Sequence, residues 1–201
     1  MKVLIVLVFV CASVLSCVAA GMTTRADIKK NIGGVPATVT SLNASQYIGL
    51  WYQMYQDAFD DLFEAGAYCA TAEYHLLPNG SVSVHNIQRL DGYDGRRESV
   101  RGYAYQPNPK EYPGRLEVQF PFNAFPAPYW IFKLGPVVND QYQWSFVSDY
   151  DLASLFILAR NYTEFEMKYK DEVLTFAASM GFTGIFNSPQ ALPQGPKCTY
   201  G

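Results

Sequence analysis

The chain has 201 residues, 49% of them hydrophobic and 16% charged, with fifteen glycines and twelve prolines. That balance excludes a disordered tail and a collagen-like fibre. The net charge of −3 is spread along the sequence, which argues against nucleic acid and against a polybasic membrane patch.

Residues 1–20 read as a secretory signal peptide. Lys2 precedes an apolar run from Val3 to Val10, and small residues end at Val18-Ala19-Ala20. No later stretch has the roughly 18 uninterrupted apolar residues that a membrane-spanning helix needs. Cleavage after Ala20 leaves 181 residues of net charge −4, enough for one domain with a sizeable core. A second reading starts from Val14-Leu15-Ser16-Cys17, which resembles a bacterial lipobox. Acylation of Cys17 would then tether the same domain to a membrane surface.

Two of the four cysteines, Cys11 and Cys17, lie in or beside this leader. Cys69 and Cys198 remain, and in an exported protein they form one disulfide or stay as two buried thiols. Sequons at Asn43, Asn79 and Asn161 fit the same secretory route and are expected to carry glycans.

Residues 21–41 are polar, with Gly33-Gly34 and Pro36, and read as a flexible lead-in to a domain over 42–201. From Tyr47 onward, apolar and polar residues alternate in short runs separated by turn residues, the period-2 pattern of half-buried strands. Strands are predicted near 48–56, 67–77, 81–90, 97–106, 114–121, 127–134, 141–147 and 152–160. The loop after the first strand carries Phe59, Leu62 and Phe63 and is more apolar than a plain hairpin turn. After the last strand the period changes. Thr163 is the expected helix cap, with Glu166 as its capping-box partner, and Phe165, Tyr169, Val173, Phe176, Ala177 and Met180 follow at helical spacing up to Gly181. The fold class is therefore all-β: an eight-stranded antiparallel up-and-down barrel with one C-terminal α-helix packed outside.

Specific motifs sharpen this. Gly49-Leu50-Trp51 opens the first strand, and Arg160 ends the last one, 109 residues after Trp51. The pair resembles the G-x-W and the terminal arginine of the lipocalin family, in which the cation lies over the indole at the closed end of the barrel. Cys69-Ala70-Thr71-Ala72-Glu73-Tyr74, Asn79-Gly80, Leu116 to Phe120 and Ala127 to Ile131 resemble its apolipoprotein D branch, with the bacterial outer-membrane and plant temperature-induced lipocalins. The resemblance implies a bridge between Cys69 and Cys198. The family's T-D-Y motif departs from its pattern. Ser148-Asp149-Tyr150 looks like it but lies too close to Arg160, so Asp140 and Tyr142 fit its position better and 148–150 reads as the turn into the last strand.

Strand parity selects the interior face. With Trp51 inward, Gln53 and Tyr55 follow on the first strand, and Asn86 and Gln88 on the third. Val100 faces inward on the fourth strand, Leu116, Val118 and Phe120 on the fifth, and Tyr129 and Ile131 on the sixth. Arg160 inward implies Leu152, Ser154 and Phe156 on the last strand, and Phe59 and Phe63 would close the mouth. These apolar walls with a few amides and phenols have the chemistry of a small-molecule pocket, and the small residues Ala70, Ala72, Gly102 and Ala104 point to empty space inside.

No G-x-S-x-G, H-E-x-x-H, P-loop or G-x-G-x-x-G occurs after residue 20. His75 and His85 fall on the outward parity, so no cofactor or interior metal ligand is called for. The expected function is a secreted, non-enzymatic carrier of a small hydrophobic ligand: a fatty acid, retinoid, sterol, carotenoid or bilin. The alternatives are an acylated envelope protein in membrane maintenance and an enzyme acting on a lipophilic substrate. The sequence leaves a weak homo-oligomer open.

Overall fold

The computed structural model describes residues 36–57, 66–185 and 187–201. The predicted leader with Cys17, most of the lead-in, and the loop with Phe59 and Phe63 lie outside them.

A short helix α1 (Ala44–Tyr47) leads into strands β1 (Gly49–Asp57), β2 (Ala67–Leu76), β3 (Val82–Leu90), β4 (Arg96–Tyr105), β5 (Arg115–Gln119) and β6 (Ala127–Leu134). A two-residue pair, β7 (Val137–Val138) and β8 (Gln141–Tyr142), precedes β9 (Trp144–Ser148) and β10 (Leu155–Ala159). Among the described residues, β1–β6, β9 and β10 pair antiparallel in sequence order, and β10 returns to β1 with Tyr52 opposite Ala159. The eight-stranded barrel is therefore closed, and closure removes the edges that a sheet would otherwise expose.

The alternation of the strands builds two cores. Trp51, Ala72, Tyr74, Val84, Val100, Leu116, Val118, Ile131 and Leu158 belong to a cluster inside the barrel. On the opposite face, Leu155, Ile157 and Ala159 of β10 join Phe132, Trp144 and Phe146 against the terminal helix, through Phe165, Val173 and Ala177. That helix runs as α2 (Tyr162–Glu164), a π-helical turn over Phe165–Tyr169, and α3 (Lys170–Ser179). Its cap is Asn161, whose Oδ1 accepts from Glu164 N–H at 2.9 Å, rather than Thr163. Both residue types cap well, and the one two positions earlier reaches the first free N–H groups.

Two bulges interrupt the simple parity. The β1–β10 register shifts between Gln53 and Tyr55, which places Met54 and Tyr55 together on the helix side. The β2–β3 register shifts between Tyr68 and Thr71, with Cys69 at a φ of 55°. That shift takes Ala70 out of the interior and packs it against Ala67 and Leu192.

The tail after α3 completes the wall. Strand β11 (Pro189–Ala191) pairs with the mouth-side end of β1. Leu192 N–H donates to Met54 O, Cys69 N–H donates to Pro193 O, and the Gln194 amide donates to both Gln53 O and Ala70 O. The tail therefore fills the seam where β1 and β2 diverge, and the Cys69–Cys198 disulfide fastens it there with Cα atoms 5.5 Å apart.

Of the small residues expected to leave room inside, Gly102 does not. A Cβ there would meet Gln119 O and would lie 2.6 Å from the Phe120 ring, which occupies that space. Gly102→Ala is expected to cost about 1–3 kcal/mol by overpacking, read as a lower urea midpoint. An unchanged midpoint would show that the Phe120 ring yields freely.

Candidate functional site

The barrel runs from a closed floor, where β1 begins and β10 ends, to a mouth at the opposite pole. The floor is built around Trp51, which is fully buried and donates from Nε1 to Tyr47 O at 2.8 Å. The guanidinium of Arg160 lies 3.6 Å from the centre of the Trp51 ring. Its N–H groups donate to five main-chain carbonyls, those of Gln46, Tyr47, Ile48, Leu50 and Tyr142. Burial lowers its pKa to about 10, which still leaves it charged at neutral pH. Gly49 is required here. Its φ is +99°, and a Cβ would come within 3.3 Å of Arg160 Nη1. Asp140 accepts from Gln46 Nε2 and the Tyr142 hydroxyl accepts from Asn43 N–H, so both sit beside α1 at the floor. Ser148-Asp149-Tyr150 instead leads the turn into β10, where Asp149 Oδ1 accepts from the N–H groups of Asp151 and Ala153.

The end of the lead-in seals the floor further. Val39 N–H donates to Ile131 O at 3.0 Å, and Val39 and Leu42 pack on the interior cluster.

Just above Trp51 four hydroxyls form a chain. Tyr47 OH lies 2.7 Å from Tyr129 OH and 2.9 Å from Ser145 Oγ, and Tyr74 OH lies 3.3 Å from Tyr129 OH. Tyr47, Tyr74 and Ser145 are buried, whereas Tyr129 keeps some accessible surface. Desolvation pushes the Tyr74 phenol up to about 12 and raises Tyr47 and Tyr129 well above their ordinary value, so all three stay neutral. The sequence identified only Tyr129 of this group. The hydroxyl of Tyr47, on a four-residue helix outside the strand pattern, and those of Tyr74 and Ser145 gave no local signal.

Higher up, Asn86 shares a face with Ala72 and Val100, both in the interior cluster. Its Oδ1 is buried and, among the described residues, has no hydrogen-bond partner. Gln88 follows on the same face, opposite Glu98, whose nearly buried carboxylate pairs with Arg96 towards the mouth. Leu116, Val118, Phe120, Ile131 and Phe156 lie on the interior as expected. Gln53 lies two residues beyond Trp51 on the inward parity, before the bulge. Gln56, which the sequence did not single out, joins this face through its pairing with Phe156. His75 and His85 alternate with the interior residues Tyr74 and Val84 and so face outward, and the His75 side chain is 63% exposed.

Three predicted lining residues are elsewhere. Tyr55 turns towards the helix across the β1 bulge, its ring 6.3 Å from Phe165. Leu152 has a φ of 56° in the turn before β10 and is buried in the helix-side core. Ser154 also precedes the strand, and its hydroxyl donates to Asp149 Oδ2 at 3.0 Å. The period-2 reading began β10 three residues early and carried these two inward with it.

A family model described as a lipocalin-like domain matches residues 42–189. Mouse apolipoprotein D is 35% identical over 119 residues, covering 58% of this chain and 60% of its own length. The chain thus matches about three fifths of that relative. The outer membrane lipoprotein Blc of Vibrio cholerae is 30% identical over 155 residues, 74% of this chain and 84% of its own. Among solved structures, Japanin from Rhipicephalus appendiculatus, bound to cholesterol, superposes with a TM-score of 0.52 at 16% identity, over 78% of this chain and 99% of that one.

Proposed function

The chain belongs to the lipocalin family, and on that premise we propose that it binds and carries a small hydrophobic molecule inside the barrel. The observation that carries this reading is an interior wall that is apolar yet not sealed. Phe156, Tyr129, Gln53 and Asn86 are walled in by strands on every side and still keep accessible surface. Apolar side chains supply the affinity, and Gln53, Asn86, Gln88 and Tyr129 orient the polar end of the guest. Burying roughly 300–500 Å² of ligand at ~25 cal/mol/Å² releases about 7–12 kcal/mol before association costs, which reaches micromolar to high-nanomolar affinity.

Phe156→Arg is the test. The neutral fluorescent probe N-phenyl-1-naphthylamine is expected to bind the native protein and to lose at least tenfold in affinity to the variant, while the thermal transition persists. Equal affinity in the folded variant would remove Phe156 from the binding wall.

Secretion by way of the leader over 1–20 is part of the same reading. Its support is the disulfide together with three sequons that are all exposed at the floor pole: Asn43 ahead of α1, Asn79 in the β2–β3 turn and Asn161 ahead of α2. Glycans there would leave the mouth open. The similarity to an outer membrane lipoprotein favours acylation at Cys17 as the second reading. The mature N-terminal mass separates them, Gly21 for release and lipidated Cys17 for tethering.

A further inference from the structure

We infer that the guest enters oxygen-first and is a lipid with an uncharged oxygen at its leading end, an alcohol or ketone, which accepts a hydrogen bond from Tyr129. The inference rests on the carrier reading above and adds the ligand class and its orientation.

It follows from counting protons in the hydroxyl chain. Ser145, Tyr47, Tyr129 and Tyr74 are joined in that order by three contacts. Four hydroxyls bring four protons, and three contacts use three of them. One donor is always left over. If the chain runs in a single direction, the spare proton falls on Ser145 or on Tyr74, or on Tyr47 if both neighbours donate to it, and all three are buried. A buried unmade donor costs about 1–3 kcal/mol. One arrangement places the spare proton on the residue of the four that is not fully buried, where a guest can reach it. Ser145 donates to Tyr47, while Tyr47 and Tyr74 both donate to Tyr129. Both neighbouring contacts then occupy the lone pairs of Tyr129, and its proton is left to project from the one member with accessible surface. The floor thus presents a single oriented donor to the interior.

That donor is matched to a neutral acceptor. A carboxylate seeks two or more donors or a cation in direct contact when it leaves water, and the floor offers it one donor and a cation with no N–H left to give. The N–H groups of Arg160 are spent on main-chain carbonyls, and its guanidinium is stacked on Trp51. Among the described strand residues, the charged side chains on the interior parity are Glu98 and its partner Arg96, towards the mouth. Asn86 Oδ1, which has no hydrogen-bond partner among the described residues, marks a second polar position midway up the wall.

Retinol and retinoic acid share one hydrocarbon body and differ in this oxygen. At pH 7.5, by tryptophan quenching, retinol is expected to bind at least tenfold more tightly than retinoic acid. Tyr129→Phe should weaken retinol about fivefold or more and shrink its preference over retinoic acid by the same factor. Tyr74→Phe, which leaves the Tyr129 proton in place, should shift retinol by less than twofold. Retinoic acid binding as tightly as retinol, or equal losses from Tyr129→Phe and Tyr74→Phe, would overturn the inference. Failure of the native protein to bind the naphthylamine probe as well as both retinoids would instead overturn the carrier reading itself.

Discussion

Replacing Arg160 with methionine is expected to lower the free energy of unfolding by about 3 kcal/mol. The guanidinium is a cation on the indole of Trp51 and at the same time the donor for carbonyls of Gln46, Tyr47, Ile48, Leu50 and Tyr142. Stacking of this kind contributes about 1–2 kcal/mol where water is partly excluded, and hydrogen bonds to a charged group contribute about 1.5–3 kcal/mol each before water replaces them. Because the site is only partly enclosed, water recovers some of the loss, which keeps the total near 3 rather than 10. Methionine keeps the stem and most of the volume, so the deficit reports on the planar charged head. In a domain of this size the melting point should fall by roughly 6–12 °C. Arg160→Lys should recover less than half of that, because a point charge cannot span carbonyls from two separate segments. A melting point within 2 °C of the native value in Arg160→Met would mean that the floor holds without the cation.

The second large effect is a loss of stability in alkali. Tyr47, Tyr74 and Tyr129 ionise near pH 10 in the unfolded chain, whereas desolvation holds Tyr74 at about 12 and the other two well above the ordinary value in the folded one. Below pH 10 both states keep these protons, and the contribution is fully present. Above pH 10 the unfolded state releases three protons that the folded state retains, and each costs about 1.4 kcal/mol per pH unit. Arg160 acts in the opposite sense. Its folded pKa is lowered to about 10, so over this range the unfolded state holds the extra proton and offsets one phenol. The net loss is therefore about 3 kcal/mol between pH 10 and 11, continuing towards pH 12. Urea midpoints from pH 8 to 11.5, with phenolate absorbance at 295 nm, measure it. A flat midpoint across that range, or every phenol ionising together near pH 10 in the folded protein, would contradict the burial of the hydroxyl chain.

The barrel itself was legible because its strands are half buried, and burial on one side writes itself into every second residue. Trp51 and Arg160, 109 residues apart, marked the point where the first and last strands meet. What the alternation could not carry was an inserted residue. A bulge at Gln53–Tyr55 leaves no mark in the residue types and still turns Tyr55 from the interior to the helix. Leu152 was lost for a related reason, since a leucine at positive φ looks in sequence like any other leucine. The hydroxyl chain was hidden differently. Its members come from α1, β2, β6 and β9, and each alone is an ordinary tyrosine or serine. Their meaning lies in oxygen atoms meeting at one point, which depends on the tilt of the strands rather than on any spacing within one of them.

The seam closed by the tail bears on how the molecule is made. β1 is among the earliest described segments to leave the ribosome, yet it pairs with β10 on one side and, where β2 leaves it on the other, with β11, and its junction with β2 is bridged by Gln194. More than 130 residues must therefore be synthesised before the first strand finds all its neighbours, about 7–30 s at usual elongation rates. Throughout that interval the nascent barrel is an open sheet with its greasy face uncovered. A chaperone in the compartment of synthesis would find its substrate there, and in the finished protein the same surface is out of its reach.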